Sequence, residues 1–307
     1  MATVLIGGGT GLIGNRLSEL LQIEGHTVLH LSRSKNLEAK YPAYEWDLHR
    51  QSIDMEAVEQ ADYIINLAGA GIADKPWTSD RKRIIIDSRT KSNALLRKAA
   101  LERATPPKAY LASAAIGIYG DRGDTLLTEE SEPGQSGFLA ESCRAWEAAI
   151  KDWQPTGIRT VGIRIGVVLS TEGGALPKMM MSLPVGVAPY FGNGQAWYSW
   201  VHIDDVARLF IHALENEEMA GFYNGVAPHP VRNKALVKAM VDAKNAKALL
   251  VPAPAFALRL GMGEMADAVL SSARVSADKT EATGFDFAYP KVEDAFQALF
   301  KQSERSA

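Results

Sequence analysis

The sequence predicts an α/β fold, a doubly wound parallel sheet with a smaller, mainly helical C-terminal lobe, and three observations carry that prediction. Strand-like apolar runs at 3–7, 27–32, 43–47, 62–67, 108–113 and 159–165 alternate with helical patterns near 11–25, 78–100 and 137–153. Such alternation builds parallel strands joined by crossover helices. The first run passes directly into a glycine-rich turn that opens a helix. After Arg164–Leu169 the texture changes to a Gly, Pro and Met-rich stretch from Thr171 to Gly194; helical periodicity returns at Asp205–Asn216, and from His229 the chain is helical and broken by Pro252, Pro254 and Pro290. The sheet is therefore assigned to 1–170 and 196–226, and a lobe over a substrate to 171–195 and 227–307. Thr171–Gly194 is expected to shape a pocket or lid, with Met179–Met181 as packing.

Taken in order, Thr3-Val4-Leu5-Ile6 is a buried strand, and Gly7-Gly8-Gly9-Thr10-Gly11-Leu12-Ile13-Gly14 is the turn after it. Glycines at 8, 11 and 14 leave backbone N–H groups bare at a helix N-terminus, where a pyrophosphate must approach closely. Ile13, Leu17, Leu20 and Leu21 then trace one apolar helix face, Gly25 can end the helix, and Thr27–Leu31 returns as a strand. Strand, glycine turn, helix and strand in that order make a Rossmann-type dinucleotide site, with Gly8, Thr10, Gly11, Leu12, Ile13 and Gly14 as its phosphate loop.

The second strand ends in Ser32-Arg33-Ser34-Lys35, with no acidic residue to take a ribose 2′-hydroxyl. Arg33 offers a planar cation for a 2′-phosphate, with Ser32, Ser34 and Lys35 as nearby donors, so NADP(H) is expected over NAD(H). Asp47, ending the third strand, is placed to accept from the adenine amino group. Leu67-Ala68-Gly69 after the fourth are small enough for the backbone to pass close to the cofactor. Ser88 and Arg89, on the next helix, approach it from the opposite side.

Composition sets the outer limits. The chain has 307 residues, is 47% hydrophobic and carries a formal net charge of −3, with pI about 6.1. That is ample for a buried core, and neither nucleic acid nor membrane is expected as a partner. A first strand at residue 3 leaves no room for a cleavable leader, so a cytoplasmic location is expected. One cysteine, Cys143, excludes an internal disulfide, and the six histidines show no metal-ligand spacing along the chain.

Several landmarks together resemble the extended short-chain dehydrogenase/reductase group, the NAD-dependent epimerase/dehydratase family. They are Gly8-x-x-Gly11-x-x-Gly14, Asn66-Leu67-Ala68-Gly69, Ile118-Tyr119-Gly120 and Trp200-Val201-His202-Ile203-Asp204-Asp205-Val206-Ala207. Ala73–Thr78, Phe138-Leu139 with Trp146-Glu147, Pro228–Asn233, Gly261–Met265 and Gly284–Phe287 narrow the likeness to the branch labelled as nucleoside-diphosphate-sugar epimerases. The resemblance spans essentially the whole chain. It implies an NADP(H)-binding Rossmann fold with the C-terminal lobe over the nicotinamide end.

The same comparison exposes a departure. Short-chain reductases pair a tyrosine with a lysine one helical turn later to move a proton. None of the tyrosines, at 41, 44, 63, 110, 119, 190, 198, 223 and 289, has a lysine at that spacing. Aligned on Trp146-Glu147, the two positions fall on Leu139 and Cys143, and the family's serine falls near Ala114 or Ala115. Tyr119 is the expected substitute proton donor, with Ser113 orienting a small carbonyl or sugar-like substrate, while His202 is expected to brace the lobe. Asp204 and Asp205 are expected as a helix cap and a first-turn acid, and Trp77, Phe138, Tyr190 and Trp197 as pocket walls. Arg164, Arg232 and Lys178 could help with a second diphosphate. An oxidoreductase with an unusual proton relay, and a non-catalytic NADP(H)-binding sensor acting on a protein partner, both follow from an intact cofactor loop beside a missing catalytic pair.

Overall fold

A computed structural model describes residues 1–305. Its centre is a sheet of eight strands: β1 (Thr3–Gly7), β2 (Thr27–Ser32), β3 (Ala43–Asp47), β4 (Ser52–Ile53), β5 (Tyr63–Asn66), β6 (Ala109–Ala115), β7 (Arg159–Ile165) and β8 (Gly221–Gly225). Their order across the sheet is β8-β7-β6-β5-β1-β2-β3-β4. All pairs are parallel except β3–β4, where Trp46 faces Ile53. Four helices cross over this sheet: α1 (Leu12–Ile23), α2 (Met55–Gln60), α3 (Ser79–Glu102) and α4 (Phe138–Lys151); α5 (Ile203–Glu215) precedes β8. The α/β class read from the alternation is the one found. The pattern missed β4 and α2, whose two and six residues are too short for periodicity to register, and also the edge strand β8.

Alternate residues along the central strands feed two cores, one on each face. Val4, Ile6, Ile65 and Leu111 bury on one side, while Leu5, Ile64, Tyr110 and Ala112 bury on the other. The chain runs outward from β1 to β3 and returns to continue from β5 in the opposite direction. The order therefore reverses between β1 and β5, the crevice where doubly wound sheets bind ligands. Gly7 pairs with Asn66 at that edge, which sets the glycine turn beside Leu67–Gly69.

The C-terminal part is mainly helical, with Asn233–Ala243, Ala255–Met262, Ala266–Leu270 and Val292–Arg305. Val187–Phe191 also pairs in parallel with Leu249–Ala253. Asp205 is more than a first-turn acid. Fully buried, it accepts from the backbone N–H of Ala288 at 2.9 Å and Tyr289 at 3.0 Å and pairs with Arg208, so it fastens the C-terminal segment to α5. The cap of that helix is His202, whose Nδ1 accepts from the Asp204 N–H at 3.0 Å. Within Thr171–Gly194, Met179 and Met180 pack against the core as expected, but Met181, expected to pack with them, is 78% exposed.

Candidate functional site

The glycine turn owes its shape to contacts that exclude side chains. Gly8 has φ +78°, and a Cβ there would lie 2.8 Å from the Ala68 nitrogen. At Gly14 a Cβ would lie 2.4 Å from the Gly8 carbonyl oxygen. Gly11 donates its N–H to that oxygen at 3.0 Å and is the cap residue of α1, where no side-chain hydrogen bond caps the helix N-terminus among the described residues. Thr10 and Gly11 are exposed, and Leu12 and Ile13 begin the helix. First-turn N–H groups have no acceptor inside a helix, so an anion fits this end.

Below the loop, the Ser18 hydroxyl donates to the Gly14 carbonyl, and His30 Nε2 donates to Ser18 Oγ at 2.8 Å. Burial lowers the His30 imidazole to about 4. The unfolded chain binds that proton first on acidification, so the stability contributed by neutral His30 is complete above about pH 6.5 and is lost as pH falls toward 4. Thermal melts across this window should show a steeper loss in wild type than in His30→Gln; equal slopes would remove His30 as a contributor. His202, also lowered to about 4 by burial, acts in the same window and remains in both proteins.

At the end of β2, Arg33 is exposed and makes no hydrogen bond or ion pair with any described residue. Ser32 Oγ bonds the Ser34 backbone. Lys35, expected as a phosphate donor, is engaged elsewhere, 2.8 Å from Asp54 and 3.3 Å from Glu56. Asp47 Oδ1 accepts from the His49 and Arg50 N–H groups, bonds that hold its carboxyl below the usual range. Leu67 donates to the Gly7 carbonyl and Ala68 to Asn66 Oδ1. Ser88 Oγ accepts from the Ala70 N–H at 2.9 Å and so pins the loop after Gly69.

A cavity of about 290 Å³ opens at the carboxyl ends of β6 and β7, walled by Ala115, Ile116, Leu139, Cys143, Trp146 and Val167 among others. Gly117 faces Leu139 and Cys143 closely enough that a Cβ would lie 2.8 Å from Leu139 Cγ and 3.1 Å from Cys143 Sγ. The two positions aligned with the missing pair therefore do face the cavity, but they carry a hydrocarbon and a thiol. Burial pushes that thiol up to about 12, so it stays protonated near neutral pH. A second cavity of about 280 Å³ adjoins the first at Gly120 and Leu139 and is walled by Trp77 and Phe138. Trp197 lines the first cavity, and Tyr190 lines neither. Thr171–Gly194 contributes no wall residue to these two cavities, but Gly192 and Asn193 line a third, wider cavity of about 590 Å³ beside Asp121, Pro252 and Arg259.

Tyr119, expected as proton donor, does line the second cavity, but its hydroxyl is committed to the interior. Its ring is fully buried; the hydroxyl donates to Asn224 Oδ1 at 2.7 Å and accepts from Arg164 Nη1 at 2.9 Å. Burial, opposed by Arg164, raises it to about 12. Arg164 is held through both oxygens of Glu147 at 2.7 and 2.9 Å. Burial of Arg164 is outweighed by these partners, and its guanidinium is raised above the ordinary arginine value. This network is a buried brace that the sequence did not reveal, and it leaves Arg164 unavailable for a diphosphate. Ser113 Oγ donates to the Asn66 carbonyl at 3.3 Å from within β6; Ala115 lines the cavity. Arg232 pairs with Asp124, and Lys178 donates to the Ala73 carbonyl.

Outside this region, Glu24, His26 and Glu215 bring ligand atoms within 4.8 Å of one another, a grouping that linear spacing concealed. No helix among the described residues is long and apolar enough to cross a membrane.

The reversed sheet, the bare helix N-terminus behind Gly8-x-x-Gly11-x-x-Gly14 and the lobe built after β8 define a Rossmann-type protein of the extended short-chain dehydrogenase/reductase class. Within that class the chain belongs to the NAD dependent epimerase/dehydratase family, whose model matches residues 4–224; residues 253–299 match a domain of unknown function, DUF1731. An Arabidopsis thaliana protein named as a chloroplastic homolog of epimerase family protein SDR39U1 is 33% identical, over 97% of this chain and 87% of its own length. The Bacillus subtilis epimerase family protein YfhF is also 33% identical, over 95% and 96%. The crystal structure of human epimerase family protein SDR39U1 (isoform 2) with NADPH superposes at a TM-score of 0.89, with 29% identity and coverage of 97% and 99%. A UDP-N-acetylglucosamine 4-epimerase from Bacillus cereus, 17% identical at a TM-score of 0.78, shares the fold.

Proposed function

We propose that this chain binds NADP(H) and serves hydride transfer to a small, largely apolar carbonyl compound without the tyrosine–lysine proton relay of its class. The observation that carries the cofactor assignment is Arg33, an exposed guanidinium without a partner among the described residues, at the end of β2, the strand paired beside the one that leads into the glycine turn. NADPH bound to the human relative supports the same choice. The phosphate loop would be Gly8, Thr10, Gly11, Leu12, Ile13 and Gly14, with Ser32 and Arg33 at the 2′-phosphate. Asp47 would serve at the adenine, and Leu67, Ala68, Gly69 and Ser88 would shape the wall behind the ribose.

Bound NADPH supplies the hydride itself. The chain contributes orientation and exclusion of water through the walls of the cavity. Where the class carries its proton machinery, Leu139 and Ala115 have no acidic proton and the Cys143 thiol holds its proton too tightly to release it near neutral pH, so the substrate's proton would come from solvent. These same three residues favour a second reading, an NADP(H)-binding sensor that acts on a protein partner.

Calorimetry with NADPH and NADH on wild type and Arg33→Ala tests the cofactor assignment. Loss of a charge-assisted contact should weaken NADPH by about 10- to 100-fold and NADH by far less. Equal effects on both would overturn the NADP(H) preference. Tight NADPH binding without oxidation across a panel of small aldehydes and ketones would move the assignment to the sensor.

A further inference from the structure

Arg89 is the one charged side chain among the described residues on the wall of the cavity beside Cys143. It lies in α3, and three features hold it there. Its Nη1 donates to the Ala70 carbonyl at 3.1 Å and the Ile85 carbonyl at 3.0 Å. Its guanidinium carbon sits 4.6 Å from the centre of the Trp146 ring. Gly69 leaves it room, since a Cβ there would lie 2.9 Å from that carbon. No carboxylate among the described residues pairs with it, in contrast to Arg164, whose Nε and Nη2 grip both oxygens of Glu147. On Arg89 the same two-pronged Nε/Nη2 edge has no partner among the described residues. Neither nitrogen is sealed in the interior without a partner, as the Nε atoms of Arg81, Arg103 and Arg274 are.

The remaining polar side chains of the wall are largely committed. Ser142, Ser199 and Ser271 donate to the carbonyls of Leu139, Ala273 and Asp267. Tyr198 donates to the Val269 carbonyl and Trp197 to Asp124. A ligand entering this cavity therefore meets apolar surface and one free, planar pair of cationic donors. Carboxylates match that pair in spacing and charge, and a guanidinium held in an apolar wall gains most from a ligand that is itself anionic.

We propose that the cavity takes a small carboxylate with an apolar body, its two oxygens on the Nε/Nη2 edge of Arg89. This rests on reading the cavity as the substrate site and specifies the class of carbonyl compound as a carboxylate-bearing one. Burial lowers the guanidinium relative to an ordinary arginine, a cost that a bound anion relieves.

Benzoate and its neutral isostere benzamide probe the site by titration calorimetry, with the protein both free and saturated with NADPH. Wild type should bind benzoate saturably and at least tenfold more tightly than benzamide. Arg89→Met should abolish that preference. Arg89→Lys, which keeps the charge but not the planar pair, should retain only part of it. Indifference between benzoate and benzamide in wild type, or a preference that survives in Arg89→Met, overturns the proposal. If Arg89→Met loses NADPH binding and wild type ignores benzoate, Arg89 serves the dinucleotide and the proposal falls. Wild type that binds benzoate selectively but no NADPH would uphold the carboxylate site and overturn the cofactor reading instead.

Discussion

Gly14→Ala should lower NADPH affinity by about 100-fold or more, equivalent to about 2.7 kcal/mol. The added methyl would lie 2.4 Å from the Gly8 carbonyl oxygen and 2.6 Å from that of Gly9, both backbone atoms with no rotamer to escape into. The loop must lift or α1 must withdraw, and either movement separates the helix N-terminus from the end of β1. The support beneath resists accommodation: Ser18 bonds the Gly14 carbonyl, and the His30 ring lies so close to Gly9 that a Cβ there would be 2.4 Å from it. Asn15→Ala is the control, because its exposed side chain reaches only the Thr10 carbonyl at 3.2 Å. Calorimetry should leave that variant within a few-fold of wild type. A folded Gly14→Ala protein that binds NADPH within threefold of wild type would mean the phosphates do not rest on this loop.

The glycine turn was legible in the sequence because everything that defines it is local. A strand, three spaced glycines and a helix are consecutive, and each restriction on a side chain comes from backbone a few residues away or from the adjacent strand. Tyr119 was not legible in this way. Its place after β6 follows from the pattern, but where its hydroxyl points depends on Arg164 from β7 and Asn224 from β8, which only the sheet order brings alongside. Asp205 shows the same limit: its position in the first turn of α5 is a local fact, while its bonds to Ala288 and Tyr289 are tertiary. Composition was ambiguous at Thr171–Gly194, since glycine, proline and methionine suit a lid and equally suit irregular packing against a core.

Leu139 and Cys143 connect these lessons to chemistry. The sequence placed them where the class carries its proton relay, and both line the cavity. One turn further along the same face of α4, Glu147 binds Arg164. The helix that would carry catalysis in an ordinary member of the class is here apolar toward the ligand and ionic toward the sheet. On the proposed reading, specificity would rest on the shape of the cavity and on Arg89 rather than on a proton donor.

That ionic end makes Glu147→Ala strongly destabilising, costing about 3–5 kcal/mol. The side chains of Arg164 and Glu147 are 7% and 4% exposed, so truncating one leaves the other's charge out of water without a counter-ion. Arg164 also holds the Tyr119 hydroxyl and the Glu129 carbonyl through Nη1, at 2.9 and 3.0 Å, and Glu129 in turn accepts from the Asn224 N–H at 2.7 Å. The loss therefore spreads to β8 and the turn after β6. Because the cost comes from the orphaned charge, Glu147→Leu combined with Arg164→Met should recover most of the stability, although it removes the same ion pair. Denaturant melts of Glu147→Leu, Arg164→Met and the double variant complete the cycle. A Glu147→Ala loss under 1 kcal/mol, or a double variant weaker than either single, would show that this pair is not the brace between α4 and the sheet.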